Sequence, residues 1–269
     1  MNAADGGFRR LRVLDEGAVR RIALARPEVR NAFDDELIGE LTAAFAAVAA
    51  ESATRVVVLQ GDGPSFCAGA DIAWMRKAGG YGRSENEADA ARMANMLRAI
   101  DLCPKPVLAL AHGHAIGGGV GLVAAADIAI AAEGTVFSLA EVKLGILPAV
   151  ISPYVLRAIG ARQARDLFLT GERFDAAHAL RIGLVHAVVP GAELEAAAGR
   201  KIAALLSSGP EAVEAAKKLI ARMPGLSPEA ATALTVETIA ARRASEEARE
   251  GLSAFLEKRA PRWSVTPKA

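Results

Sequence analysis

Short apolar runs alternate with longer stretches of helical spacing through the first half of the chain. Arg20-Arg21-Ile22-Ala23-Leu24, stopped by Pro27, reads as a strand. Residues 34–52 place Leu37, Ile38, Leu41, Phe45 and Val48 on one helical face, with Asp34, Asp35 and Glu36 at the positive end. Residues 55–60 read as a buried strand closed by Gly61-Asp62-Gly63-Pro64. A helix is expected to open over 70–77, a mobile Gly- and Ser-containing loop over 78–87, and a second helix over 87–102. Residues 107–111 are strand-like; Gly117-Gly118-Gly119 then leads into an apolar helix ending near Asp127, and 128–131 and 136–139 read as two more strands.

From Ser152 onward strand signals almost vanish. Helical stretches are expected at 153–160, 162–169, 175–182, 191–207, 210–222 and 227–259, punctuated by glycines and prolines. Repeated βα units followed by a helical tail predict an α/β fold, divided into a core over 1–200 and a C-terminal helical region over 201–269.

Composition narrows the classes. At 269 residues and 52% hydrophobic the chain can bury a large core. The 32 basic and 31 acidic residues leave a formal charge of +1, so no footprint for nucleic acid or an anionic membrane is expected. No secretory signal is visible, and the longest apolar stretch, 116–126, is too short to span a bilayer. Two cysteines, Cys67 and Cys103, build no disulfide framework, and with four histidines they give no zinc spacing. These points together predict a cytoplasmic protein without a metal.

Two segments make unusual demands on the backbone: Ser65-Phe66-Cys67-Ala68-Gly69-Ala70-Asp71-Ile72, and Gly113-His114-Ala115-Ile116-Gly117-Gly118-Gly119-Val120-Gly121. Each passes from strand exit to helix start, where the first N–H groups lack helical partners and favour negative charge. Facing each other, two such turns would form a two-donor oxyanion site; either alone is better explained as a tight turn with close helix packing. Phosphate-loop, dinucleotide and G-x-S-x-G patterns are absent. Glu141 follows a strand in apolar surroundings, where partial burial would raise its pKa towards the range of a proton carrier.

In these segments, and in Arg26-Pro27 with Asn31-Ala32, Glu141 with Leu144-Gly145, Leu169-Thr170-Gly171, Gly183-Leu184-Val185 and Phe255-Leu256-Glu257-Lys258-Arg259, the chain resembles the crotonase (enoyl-CoA hydratase/isomerase) superfamily from about Arg20 to Arg259. The resemblance implies a spiral of ββα turns with a C-terminal trimerisation region, assembled as a homotrimer or dimer of trimers. It implies an acyl-CoA substrate, with coenzyme A part of that substrate and no separate cofactor. Ala70 and Gly118 match the two backbone donors to the thioester oxygen, and Glu141 matches a catalytic glutamate. Ala68, Gly69, Asp71, Ile72 and Gly117 match positions around the substrate. Phe255 and Lys258 match a pair that reaches the CoA of a neighbouring subunit.

One departure matters. The family's usual first glutamate is Gly121 here, and a single carboxylate is the pattern of Δ3,Δ2-enoyl-CoA isomerases. The segments around Asp71, Gly118 and Glu141–Tyr154 are instead similar to bacterial methylglutaconyl-CoA and carboxygeranoyl-CoA hydratases, whose substrates carry a β-branch. The leading expectation is therefore hydration of an enoyl-CoA, with Gly121 leaving room for that branch. Isomerisation and non-catalytic acyl-CoA binding are the alternatives. Trp74 and Met75 are candidates for the acyl pocket, Cys67 for a buried inert thiol, Asp71 for a helix cap, and His112 and His114 for hydrogen-bonded strand exits.

Overall fold

The computed structural model of the protein describes residues 7–264. The chain begins with a hairpin of β1 (Leu11–Glu16) and β2 (Val19–Leu24), followed by helix α1 (Asp35–Ala50) and strand β3 (Val56–Gly61). Helices α2 (Ile72–Ala78) and α3 (Arg83–Asp101) lead to β4 (Val107–Ala111) and β5 (His114–Ile116). Helix α4 (Gly118–Ala125), strands β6 (Ile128–Ala132) and β7 (Val136–Ser138), and helix α5 (Ser152–Thr170) follow. Then come β8 (Arg173–Asp175), α6 (Ala176–Arg181), β9 (Ala187–Val189) and α7 (Leu194–Ser207). Helices α8 (Pro210–Arg222), α9 (Pro228–Ala244) and α10 (Glu246–Leu256) complete the described chain.

Two sheets result, β1-β2-β3-β4-β6-β9 and β5-β7-β8. In the larger one only β1 and β2 are antiparallel. Its central strands are continuous apolar runs because both faces are covered. Successive side chains alternate sides, so Val57 and Leu59 join the core shared with α1, α3 and α4, while Val56 and Val58 pack with Ala197 and Ala198 of α7. The expected division at residue 200 falls inside α7.

The smaller sheet makes the architecture a spiral. After β3, β4 and β6 the chain steps sideways into a second short extended segment before entering a helix. Those second segments align in one row: Cys67 bridges Ala115, Ala115 pairs with Phe137, and Phe137 pairs with Phe174. Three residues beyond Cys67 stands Ala70, three beyond Ala115 stands Gly118, and four beyond Phe137 stands Glu141. Successive turns of one spiral thus bring the expected site residues to one edge.

Several local expectations are corrected. The segment 78–87 is not a loop throughout: α3 begins at Arg83, its first turn held by Glu85, which accepts from the Gly82 N–H at 2.8 Å. The expected pair 153–160 and 162–169 is found as such: α5 is two helical segments that meet at a kink at Gly160, whose φ of 73° is not helical. The stretch 227–259 is two helices, because the Ser245 side chain caps α10 by accepting from Ala248 N–H. No helix among the described residues is long and apolar enough to cross a membrane.

Candidate active site

Residues 26–34 form the bracket that fixes the first donor loop. Asn31, fully buried with φ 58°, accepts from the Arg26 N–H and donates to the carbonyls of Asp62 and Ser65. Arg26 is also buried, and its guanidinium reaches Asp71 at 2.9 Å and Asp34 at 3.1 Å. Both carboxylates cap helices: Asp34 accepts from Leu37 N–H to start α1, and Asp71 from Ala73 and Trp74 N–H to start α2. One cation thus ties two helix N-termini together. Burial pushes the Asp71 carboxyl up, but the two amides and Arg26 outweigh it and hold it below the usual carboxylate range.

Ala70 is presented by this bracket. In the parallel bridge to Phe33, the Phe33 N–H donates to the Gly69 carbonyl at 2.7 Å and its carbonyl accepts from Asp71 N–H at 2.8 Å. Phe33 makes both bonds with the neighbours of Ala70, so the Ala70 N–H points away from it. Among the described residues that N–H has no acceptor. Cys67 stands three residues earlier, fully buried, and burial pushes its thiol up to about 12, which makes it inert.

The second donor is set by Gly117. Its φ of 52° and ψ of −114° turn the chain from β5 into α4, a conformation glycine adopts without strain. The Gly117 N–H is held by the Ser138 carbonyl at 2.8 Å, whereas the Gly118 N–H, first in the helix, has no acceptor among the described residues. Side chains are excluded at Gly118, where a methyl group would stand 2.6 Å from Met93 Cε and 2.8 Å from the Phe33 ring.

Glu141 lies in the short 3-10 turn after β7, its carboxylate against the backbone of Gly117: a methyl group there would stand 3.0 Å from Oε1. Its Oε2 is buried and has no hydrogen-bond partner among the described residues. Burial raises the Glu141 carboxyl above its ordinary value, and no cation offsets that rise.

Ala68, Gly69, Ala70, Gly117, Gly118 and Glu141 line one cavity of about 380 Å³. The rest of its lining is mostly apolar: Phe33, Trp74, Met75, Met93, Leu144 and the run from Ile146 to Ile151. Among the described residues Glu141 is the one carboxylate of the wall, and Lys143 its one cation. A larger cavity of about 590 Å³ lies between α4 and α8, but the charges that line it satisfy each other, Lys217 with Asp127 at 2.6 Å and Arg157 with Asp101. The unsatisfied chemistry is in the smaller cavity.

Other expected site residues stand elsewhere. Asp71 does not line the cavity, its carboxylate being engaged by Arg26 and two amides, and Ile72 is 70% exposed at the start of α2, outside the wall. Phe255 and Lys258 lie exposed at the end of α10 and do not line the cavity of their own chain. Gly121 requires a correction. It leaves no open space, because the Ile151 side chain lies directly over it: a methyl group on Gly121 would overlap Ile151 Cγ2 and stand 3.0 Å from its Cβ. His112 bonds the Gly63 carbonyl and His114 the Ser65 hydroxyl, as strand-exit residues do.

Sequence reasoning passed over Ile151, Phe33 and Met93. The available signal was volume: glycines at 118 and 121 in a buried helix need large side chains from other elements to fill the space beside them.

The α/β spiral thus brings two main-chain N–H groups without acceptors and one carboxylate without a counter-cation to one cavity wall among the described residues. The family model described as enoyl-CoA hydratase/isomerase matches residues 15–266, and the chain belongs to that family. Among solved structures, it is similar to an enoyl-CoA hydratase from Shewanella pealeana, with 41% identity, a TM-score of 0.93 and coverage of 96% of this chain and 97% of that one. Pseudomonas aeruginosa AtuE shows 37% identity and a TM-score of 0.92, over 96% of this chain and 100% of that one. An enoyl-CoA hydratase/isomerase from Marinobacter aquaeolei shows 32% identity and 0.90, over 95% and 99%.

Proposed function

We propose that the protein is a hydro-lyase adding water across the conjugated double bond of an enoyl-CoA. The observation that carries this reading is the grouping of the free Ala70 and Gly118 amides with the Glu141 carboxylate on one cavity wall. Both amides donate to the thioester oxygen. As the water oxygen bonds to the β-carbon, one of its protons passes to Glu141 and the π electrons move through the α-carbon onto the thioester oxygen, giving an enolate. Glu141 then returns a proton to the α-carbon as the carbonyl re-forms. The donors act on charge that develops only during the reaction, and losing one costs ~10²–10³ in rate. Every group in this sequence belongs to the chain, the substrate or water, with coenzyme A entering as part of the substrate.

Ala68 and Gly69, on the same wall, are assigned to the thioester's near surroundings. Phe255, 80% exposed, and Lys258 are assigned to the CoA held by a neighbouring copy in a homotrimer or dimer of trimers. The β-branched, methylglutaconyl-like substrate loses its geometric support, since the space over Gly121 is filled.

Isomerisation is the second reading, favoured by one observation: Glu141 is the sole carboxylate of the wall among the described residues, and moving a double bond needs only one proton carrier. Absorbance separates the two. Loss of the conjugated enoyl-thioester band on adding enzyme reports hydration; gain of that band from a 3-enoyl thioester reports isomerisation. Glu141→Gln should lower either rate by ~10²–10⁴. Wild-type activity in that variant would remove Glu141 from the mechanism, and no reaction with either substrate class would end the enzymatic reading.

A further inference from the structure

We infer that Ile151, rather than Gly121, decides which β-substituent the cavity accepts, and that the wild-type protein takes enoyl thioesters bearing hydrogen rather than a branch at the β-carbon. The inference deepens the proposed function and rests on its placement of the thioester oxygen. Gly121 lies three residues beyond Gly118, about 4.5 Å along the axis of α4, which is the span of two or three bonds from a carbonyl carbon. Whatever covers Gly121 therefore faces the atoms next to the thioester.

Ile151 is that cover. It is 2% exposed, lines the cavity and leaves no room for even one carbon on Gly121, whose other near neighbour is Leu97 Cδ2 at 3.6 Å from such a carbon.

Direction follows from burial. Phe33 and Ile151, 1% and 2% exposed, pack over Gly118 and Gly121 and make the buried part of the lining, while Leu144 and Leu147, each 67% exposed, and Met75, 36% exposed, mark its solvent-facing end. The CoA arm has to leave through the exposed end, so the acyl carbons point to the buried one. There the β-carbon meets the Ile151 methyl groups, a close-packed wall that a branch would have to displace.

The test compares but-2-enoyl-CoA with 3-methylbut-2-enoyl-CoA as substrates, and butanoyl-CoA with 3-methylbutanoyl-CoA as ligands, by kcat/KM and by Kd. Wild type should prefer the unbranched member of each pair. Ile151→Ala should shift both ratios towards the branched member by at least ~10-fold, the lower end of what one methyl group is worth in an apolar pocket. Ile151→Val, which removes a single carbon and keeps the core filled, should shift them the same way by less. Gly121→Ala should push Ile151 inward and shift the ratios the opposite way, an effect that Ile151→Ala in the same chain should cancel. Ratios unmoved within twofold in folded Ile151 variants would overturn the inference. So would a wild type that prefers the branched members. If the ligand ratios move while wild type turns over neither substrate, the inference stands and the hydratase reading falls.

Discussion

At Glu141 the carboxyl is desolvated by an apolar cavity and no cation offsets the effect, so function and stability oppose each other there. Below about pH 4.5 the group is protonated in folded and unfolded chains alike, and Glu141→Gln should leave stability unchanged. As pH rises through the raised folded-state value, the native protein has to hold a charge that the unfolded chain keeps in water, so wild type loses stability relative to the variant. Melting temperatures at pH 4 and pH 8 should therefore coincide at the first and favour Glu141→Gln at the second. The same displacement predicts the rate profile: kcat/KM should rise with pH along a limb whose midpoint lies above 4.5, because the base has to be ionised. A limb at or below 4.5 would mean a solvated carboxylate. Arg26 is the opposite case, a buried cation with two carboxylate partners. Arg26→Gln should cost about 3 kcal/mol in a denaturant titration, since two N-cap carboxylates lose their counter-charge. Asp71→Asn, which keeps the cap acceptor, should cost about 1 kcal/mol.

The elements show which parts of this arrangement a sequence can carry. β3, β4 and β6 were legible because four or five consecutive apolar residues leave little alternative to a strand buried on both faces. α1 was legible from its apolar spacing and acidic start, and the structure adds that Asp34 is the cap. β5, β8 and β9, each three residues long, carry no periodicity that a sequence can display; pairing across the spiral creates them. β1 had a weak alternating signal in Leu11 and Val13 that its interleaved charges obscured. The glycines, serine and charges of 78–87 suggest a loop to its end, whereas the helix-forming run after Gly82 begins a turn earlier than the apolar face of α3 does. At the site, Ala70, Gly118 and Glu141 were identified by resemblance. Their shared cavity follows from the aligned row of Cys67, Ala115 and Phe137, which no local spacing reveals. Gly121 misled because a glycine read alone suggests space, while the residue that fills that space lies thirty positions away.

On the scale of the whole molecule, the C-terminal helices are the unfinished part of the single chain. Ile220, Val236, Ile239, Leu252, Phe255 and Leu256 are all at least 49% exposed, a density of apolar side chains unusual for a surface that meets only water. The proposed assembly covers them. Sedimentation equilibrium should then report a trimer or hexamer, and the paired change Ile239→Glu with Leu252→Glu should shift the population to monomer without unfolding the spiral core. A wild-type chain that sediments as a monomer at micromolar concentration would remove both the assembly and the assignment of Phe255 and Lys258 to a neighbour's CoA.

Isotope-edited infrared spectroscopy of an acyl-CoA carrying carbon-13 at its thioester carbonyl reads the bond that the account places at its centre. Convergence of the Ala70 and Gly118 amides on that oxygen predicts a carbonyl stretch moved to lower frequency on binding, equally in wild type and in Glu141→Gln, where the donors are untouched. A bound thioester whose carbonyl vibrates as it does in water would contradict it.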